Sequence, residues 1–117
     1  MNVEKLQSKT GSASRLLKAM SNQHRLIILC QLSAGEEKCV GELERIVGLS
    51  QSALSQHLAR LRRDELVQTR RSAQTIYYSL ASDEANAIIE SLYDLYCGDE
   101  APATYDPQTK RPAASVS

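Results

Sequence analysis

The sequence has no phenylalanine and no tryptophan. Its core must therefore be built from Leu, Ile, Val, Ala, Met and some Tyr. It also lacks any apolar run approaching the roughly 20 residues that cross a bilayer. Met1–Thr10 is polar and has no apolar stretch of the signal-peptide kind. The expected setting is the cytoplasm, away from membranes, where thiols stay mostly reduced. The three cysteines, Cys30, Cys39 and Cys97, are widely spaced, with no CxxC and no Cys/His cluster at structural-zinc spacing. An odd count argues against a disulfide scaffold. It leaves buried apolar thiols, redox thiols or sparse metal ligands. There is no phosphate-cradling Gly loop, no metal triad and no nucleophile–base arrangement above chance for this composition, so neither an enzyme nor a cofactor is expected.

The formal net charge is zero, which gives no hint of nucleic acid. The distribution does. Between Arg60 and Arg71 stand five arginines against Asp64 and Glu65, whereas Asp83 to Glu100 holds six acids and no Lys or Arg. A basic middle and an acidic end fit one DNA-compatible face, or two ordinary solvated surfaces. A length of 117 residues supports one domain. A core this small makes dimerisation a natural way to bury more.

Residues 1–10 read as a flexible N-terminus and 98–117 as a disordered tail rich in Pro, Ala, Ser and Thr. Between them, residues 11–97 form the predicted DNA-binding and dimerisation domain. Ala13, Leu16, Leu17 and Met20 recur at helical spacing. Ser21 can cap a second helix, about 22–33, whose run Leu26–Cys30 with Leu32 reads as apolar nearly all round and therefore buried. A third helix follows over 40–47. Gly48 suits the left-handed position after it, and Ser50 caps a fourth helix over about 51–64. Two helices joined by Gly48-Leu49-Ser50 read as a helix-turn-helix. Two β-rich runs, 66–71 and 75–80, flank Ser72-Ala73-Gln74 as a hairpin, the wing. Ser82 caps a last helix with the stripe Ala85, Ile88, Ile89, Leu92 and Tyr96. The expected fold is mainly α with a small β-hairpin: a dimeric winged helix-turn-helix of five helices and a two-stranded wing.

In the fourth helix Leu54, Leu58 and Leu61 share one face. At 100° per residue, Ser52, Gln56, Ala59 and Arg63 point the other way, with Ser55 and Arg60 on the flanks. Small and polar side chains let a helix approach a major groove and bond base edges or phosphates, and arginines add phosphate contacts. The DNA-binding candidates are Gln51, Ser52, Ser55, Gln56, His57, Arg60 and Arg63, with Arg70 and Arg71 on the wing. His57, about 60° off the core direction, could equally pack inside. His24 reads as a surface residue in the first turn of the second helix. A winged-helix protein-interaction module remains the alternative to DNA binding.

The segments LLKAMSNQHRLIILCQL, VGELERIVGLSQSALSQHLARLRRDELVQTRR and AQTIYYSL together resemble the ArsR family of bacterial winged-helix repressors. The resemblance implies a symmetric dimer built mainly by the first and last helices, a palindromic operator in double-stranded DNA, and release on binding an inducer. The interface candidates are Leu16, Leu17, Met20, Ile88, Ile89, Leu92 and Tyr96. The family's arsenic-type site needs Cys-x-Cys where this chain has Cys39 and Gly41. Its zinc-type site would fall on Ser82, Glu84, Leu95 and Gly98, of which only Glu84 could ligate. No metal site is expected.

Cys30 and Cys97, together with AQTIYYSL, resemble the SqrR/BigR persulfide-sensing branch. That resemblance implies a sensing dithiol and a small sulfur species as inducer. A thiolate takes up sulfane sulfur, and the second thiol traps it as a di-, tri- or tetrasulfide. A peroxide-type switch on the same cysteines and a metal-responsive regulator are the alternatives. Cys39 departs from the branch, where Ser or Thr is common. It is expected to be exposed, modifiable and dispensable.

Overall fold

Four of the six described helices begin where a short polar side chain takes up the orphaned amides of a first turn. In the computed structural model, which describes residues 1–98, Asn22 Oδ1 accepts from the His24 and Arg25 amides at 2.9 and 3.1 Å. Ser50 Oγ accepts from the Ala53 amide at 3.2 Å, and Ser82 Oγ from the Ala85 amide at 3.0 Å. The elements are α1 (Val3–Gln7), α2 (Thr10–Met20), α3 (Gln23–Gln31), β1 (Lys38–Cys39), α4 (Val40–Val47), α5 (Gln51–Arg63), β2 (Val67–Ser72), β3 (Thr75–Leu80) and α6 (Asp83–Tyr96). The disordered-tail expectation for 98–117 falls outside the described residues from position 99 on. One unit runs Met1–Asn86 and a second begins at Ala87.

The elements differ from the sequence reading in several places. α3 starts one residue later, because the Asn22 side chain, and not Ser21, reaches the first amides. The described residues hold six helices where five were expected: α1 lies inside the segment read as a flexible N-terminus. Asn2 caps it through the Lys5 amide at 3.0 Å, and none of its residues is buried, so no apolar periodicity could announce it. The sheet has three strands, not two, in the order β1-β3-β2. β1 is a two-residue strand, Lys38 opposite Tyr78 and Cys39 opposite Tyr77.

α4 and α5 are joined through Gly48, which ends α4 in the left-handed conformation at φ 77°. α5 ends differently. The Leu66 amide donates to the Leu61 carbonyl at 2.9 Å and the Glu65 amide to the Arg62 carbonyl at 3.0 Å. That is the Schellman pattern, with Glu65 at φ 64° where glycine is usual. The pattern turns the chain directly into β2. Ser72 pairs with Thr75, so the wing turn is Ala73-Gln74 and Ser72 belongs to the strand. Ala73 supplies a positive φ of 55°.

Leu54, Leu58 and Leu61 of α5 are fully buried, as are Ile28 and Leu29 of α3, Leu32 just after it, and Leu43 of α4. At about 1.5–3 kcal/mol per buried side chain, this leucine-rich cluster anchors the helix-turn-helix and fixes which side of α5 faces out.

Candidate nucleic-acid interface

The buried leucine face of α5 leaves Gln51, Ser52, Ser55, Gln56, Ala59, Arg62 and Arg63 exposed. The outward face read from the sequence is therefore outward in the structure. Arg62 was missed, although it completes a basic last turn of Arg60, Arg62 and Arg63. Arg60 is half-buried. Its Nε lies 3.6 Å from Asp64, and Arg63 Nε lies 3.6 Å from the same carboxylate. A cationic helix C-terminus also complements the helix dipole.

His57 is turned away from that face. Its Nδ1 lies 3.5 Å from Arg25 Nη1, and its ring sits 5.9 Å from the His24 ring at 37°. Burial lowers its pKa below the ordinary histidine value, and the neighbouring Arg25 and His24 push it the same way. His57 thus belongs to the α3–α5 packing, because its 60° offset falls on the core side. His24 is half-buried, not a surface residue, and its Nδ1 is buried without a hydrogen-bond partner. The sequence reading also missed Arg25, only 8% exposed. It donates to the carbonyls of Ala19 at 2.6 Å and Lys18 at 3.3 Å, satisfying the end of α2. An arginine in the first turn of a helix reads as solvated until the fold brings a second helix end to it.

On the wing the two arginines part company. Arg71 is exposed. Arg70 donates Nε and Nη2 to the two carboxylate oxygens of Glu37 at 2.9 and 2.8 Å, with its guanidinium 4.8 Å from the centre of the Tyr77 ring. These hydrogen bonds hold the Glu37 carboxyl below the usual carboxylate range. Glu37 was not a sequence candidate, since its partner lies 33 residues away.

Cys30 is exposed, contrary to the expectation of a buried helix. Arg25, Ile28, Leu29 and Leu32 bury one side of α3 and its end, and at 100° per residue Cys30 points nearly opposite. Cys97 is exposed as well, its amide closing α6 on the Tyr93 carbonyl at 2.7 Å. Cys39 is half-buried instead of exposed. It sits at the N-cap of α4, where its amide donates to Glu42 Oε1 at 2.9 Å. That bond is the main cause of the lowered Glu42 pKa.

Of the interface candidates, Met20 is 3% and Ile89 5% exposed, so both are buried within the single chain. Leu16, Ile88 and Leu92 are half-buried. Leu17 and Tyr96 are 53% and 57% exposed, and Tyr93, not a candidate, is also exposed. Among the described residues no three His, Cys, Asp or Glu side chains are grouped to hold a metal ion, and no helix is long and apolar enough to cross a membrane.

A polar and basic helix face held outward by a leucine core, with a helix-turn before it and a basic hairpin after it, defines a winged helix-turn-helix protein. Residues 22–69 match the family model described as "Bacterial regulatory protein, arsR family". The chain is 55% identical over 97 residues to the transcriptional activator HlyU of Vibrio cholerae, covering 83% of this chain and 89% of that one. It is 51% identical over 92 residues to the transcriptional regulator YgaV of Escherichia coli, covering 79% and 93%. The structure of the transcriptional repressor BigR from Xylella fastidiosa superposes with a TM-score of 0.78 at 36% identity, covering 83% and 98%. The chain belongs to the ArsR family of DNA-binding transcriptional regulators.

Proposed function

We propose that the protein is a cytoplasmic, homodimeric repressor that binds a palindromic operator through α5 and the wing. It releases the operator when Cys30 and Cys97 are bridged by sulfane sulfur. The outward Ser/Gln/Arg face of α5 carries the DNA reading. Gln51, Ser52, Ser55 and Gln56 meet base edges or nearby phosphates, while Arg60, Arg63 and Arg71 meet phosphates. Two observations support the dimer independently: the exposed Leu17 on α2, and the exposed Tyr93 and Tyr96 on α6.

The sulfur reading is supported by the exposure of both Cys30 and Cys97, which gives a small inducer access, and by the resemblance of Cys30, Cys97 and AQTIYYSL to the persulfide-sensing branch. Each thiolate attacks the terminal sulfur of an organic persulfide, RSSH, gaining one sulfur and releasing RSH. The terminal sulfur of one protein persulfide then attacks the inner sulfur of the other. A trisulfide forms and hydrogen sulfide leaves. Two thiols and two RSSH give one bridge, two RSH and one hydrogen sulfide, and the sulfane sulfur is the oxidant. A polysulfide link spans more than the roughly 5.5 Å Cα separation of a disulfide. It ties the end of α6 to α3 and so couples the inducer to the dimer that spaces the two recognition helices.

The test is operator affinity with and without an organic persulfide. Wild type should lose about 5–150-fold, the range of a 1–3 kcal/mol coupling, and Cys30→Ser should lose nothing. An equal response in Cys30→Ser rejects the dithiol. Finding no added sulfur between the two cysteines by mass spectrometry, only a plain disulfide or sulfenic acid, transfers the function to peroxide sensing.

A further inference from the structure

The Arg70–Glu37 pair is built across the sheet. Arg70 lies opposite Tyr77 in the β2–β3 register, and Tyr77 lies opposite Cys39 in β1. β3 is therefore the middle strand, and Glu37, two residues before Cys39, reaches from the β1 edge to an arginine on the β2 edge. Tyr77 sits under the guanidinium. Both partners remain substantially exposed, at 54% and 35% of their side-chain surface. An exposed ion pair adds little to folding, so even this two-pronged one can be exchanged for a competing anion at modest cost. A carboxylate engaging both guanidinium arms presents the same pair of oxygens as a phosphate does. Arg70 cannot offer that fork to Glu37 and to a DNA phosphate at once.

We propose that Glu37 is an internal competitor for DNA phosphate at the Nε/Nη2 edge of Arg70, so that the wing engages duplex DNA with this edge only by exchanging one oxygen fork for another. The inference rests on the reading of the wing as a DNA-contacting element. While Glu37 holds the arginine, Arg71 is the wing cation open to DNA. Once Glu37 is displaced, Arg70 adds a phosphate contact, and Tyr77 keeps the guanidinium in place during the exchange. Glu37 thereby sets the strength of the sequence-independent part of binding and limits retention on nonspecific DNA. It is a positioning residue acting through Arg70.

The probe is a random-sequence duplex of about 30 base pairs at low salt, since phosphate contacts do not depend on sequence. Four full-length proteins form the cycle: wild type, Glu37→Gln, Arg70→Gln and the double variant, each checked for wild-type circular dichroism. Glu37→Gln should bind about two- to ten-fold more tightly than wild type at low salt. Its slope of log affinity against log salt should steepen by about 0.9, the increment for one phosphate contact on duplex DNA. In the Arg70→Gln background the Glu37 substitution should change affinity less than it does alone, and leave the slope unchanged. An equal gain in both backgrounds would make Glu37 a general repulsive charge and overturn the proposal, as would an unchanged slope in Glu37→Gln. If wild type binds no duplex at all, the reading of the wing fails before Glu37 is tested.

Discussion

Arg25 and Ala19 are joined by a hydrogen bond of 2.6 Å from the guanidinium Nε to the backbone carbonyl, across the junction of α2 and α3. The same side chain bonds the Lys18 carbonyl and approaches His57 on α5. One buried arginine thus finishes α2, stands in the first turn of α3 and touches α5. Arg25→Ala takes the guanidinium donor from the buried Ala19 carbonyl, whereas the Lys18 carbonyl keeps the Ser21 amide, at a cost of about 1–3 kcal/mol. Urea unfolding should register that loss as a lower midpoint, and Arg25→Lys should recover only part of it, because an ammonium lacks the guanidinium's fork.

His57 makes stability depend on pH. Its pKa is lowered by burial first, then by Arg25 and His24. The unfolded chain, with an ordinary histidine near 6.5, therefore takes up a proton at a pH where the folded chain does not. The contribution of neutral His57 is complete above about pH 6.5. It falls away as the pH drops through that value towards the folded pKa. The urea midpoint should fall between pH 7.5 and 5.5, and fall less in His57→Gln. Equal pH dependence in both proteins would remove His57 as the cause.

Glu65 holds a left-handed backbone at the end of α5, φ 64°. A side chain there costs about 1–2 kcal/mol, and glycine returns about 0.4–1 kcal/mol of that through the freer unfolded chain. Glu65→Gly should therefore be more stable than Glu65→Ala by about 0.5–1 kcal/mol, measured by thermal or urea unfolding. The Ala variant separates backbone strain from loss of the carboxylate.

Caps and periodicity made most of this fold legible. Ser50, Ser82 and Gly48 sit where local chemistry demands them, and the buried leucines of α5 leave its polar and basic face outward. What stayed hidden depends on tertiary contact. β1 is two residues long and exists only because β3 lies beside it. Arg25 finds its carbonyls, and Arg70 its carboxylate, only after folding. Cys30 misled for another reason. Its apolar neighbours suggested burial all round, while the helical angle alone would have placed it on the open side.

The recognition face separates two kinds of effect. Arg63→Ala should weaken binding to every duplex similarly and reduce the salt slope by about one. Gln56→Ala should instead relax discrimination at particular operator positions, each base being worth about 1–3 kcal/mol. Operator and scrambled duplexes, titrated at several salt concentrations, distinguish the two.

Peptide mapping after exposure to an organic persulfide addresses the sensing chemistry at the atoms themselves. The account predicts a crosslink between the peptides carrying Cys30 and Cys97, with at least one sulfur beyond a disulfide, formed in step with loss of operator binding and reversed by reductant. Loss of binding while both cysteines remain unlinked, or a link that leaves operator affinity intact, would contradict it.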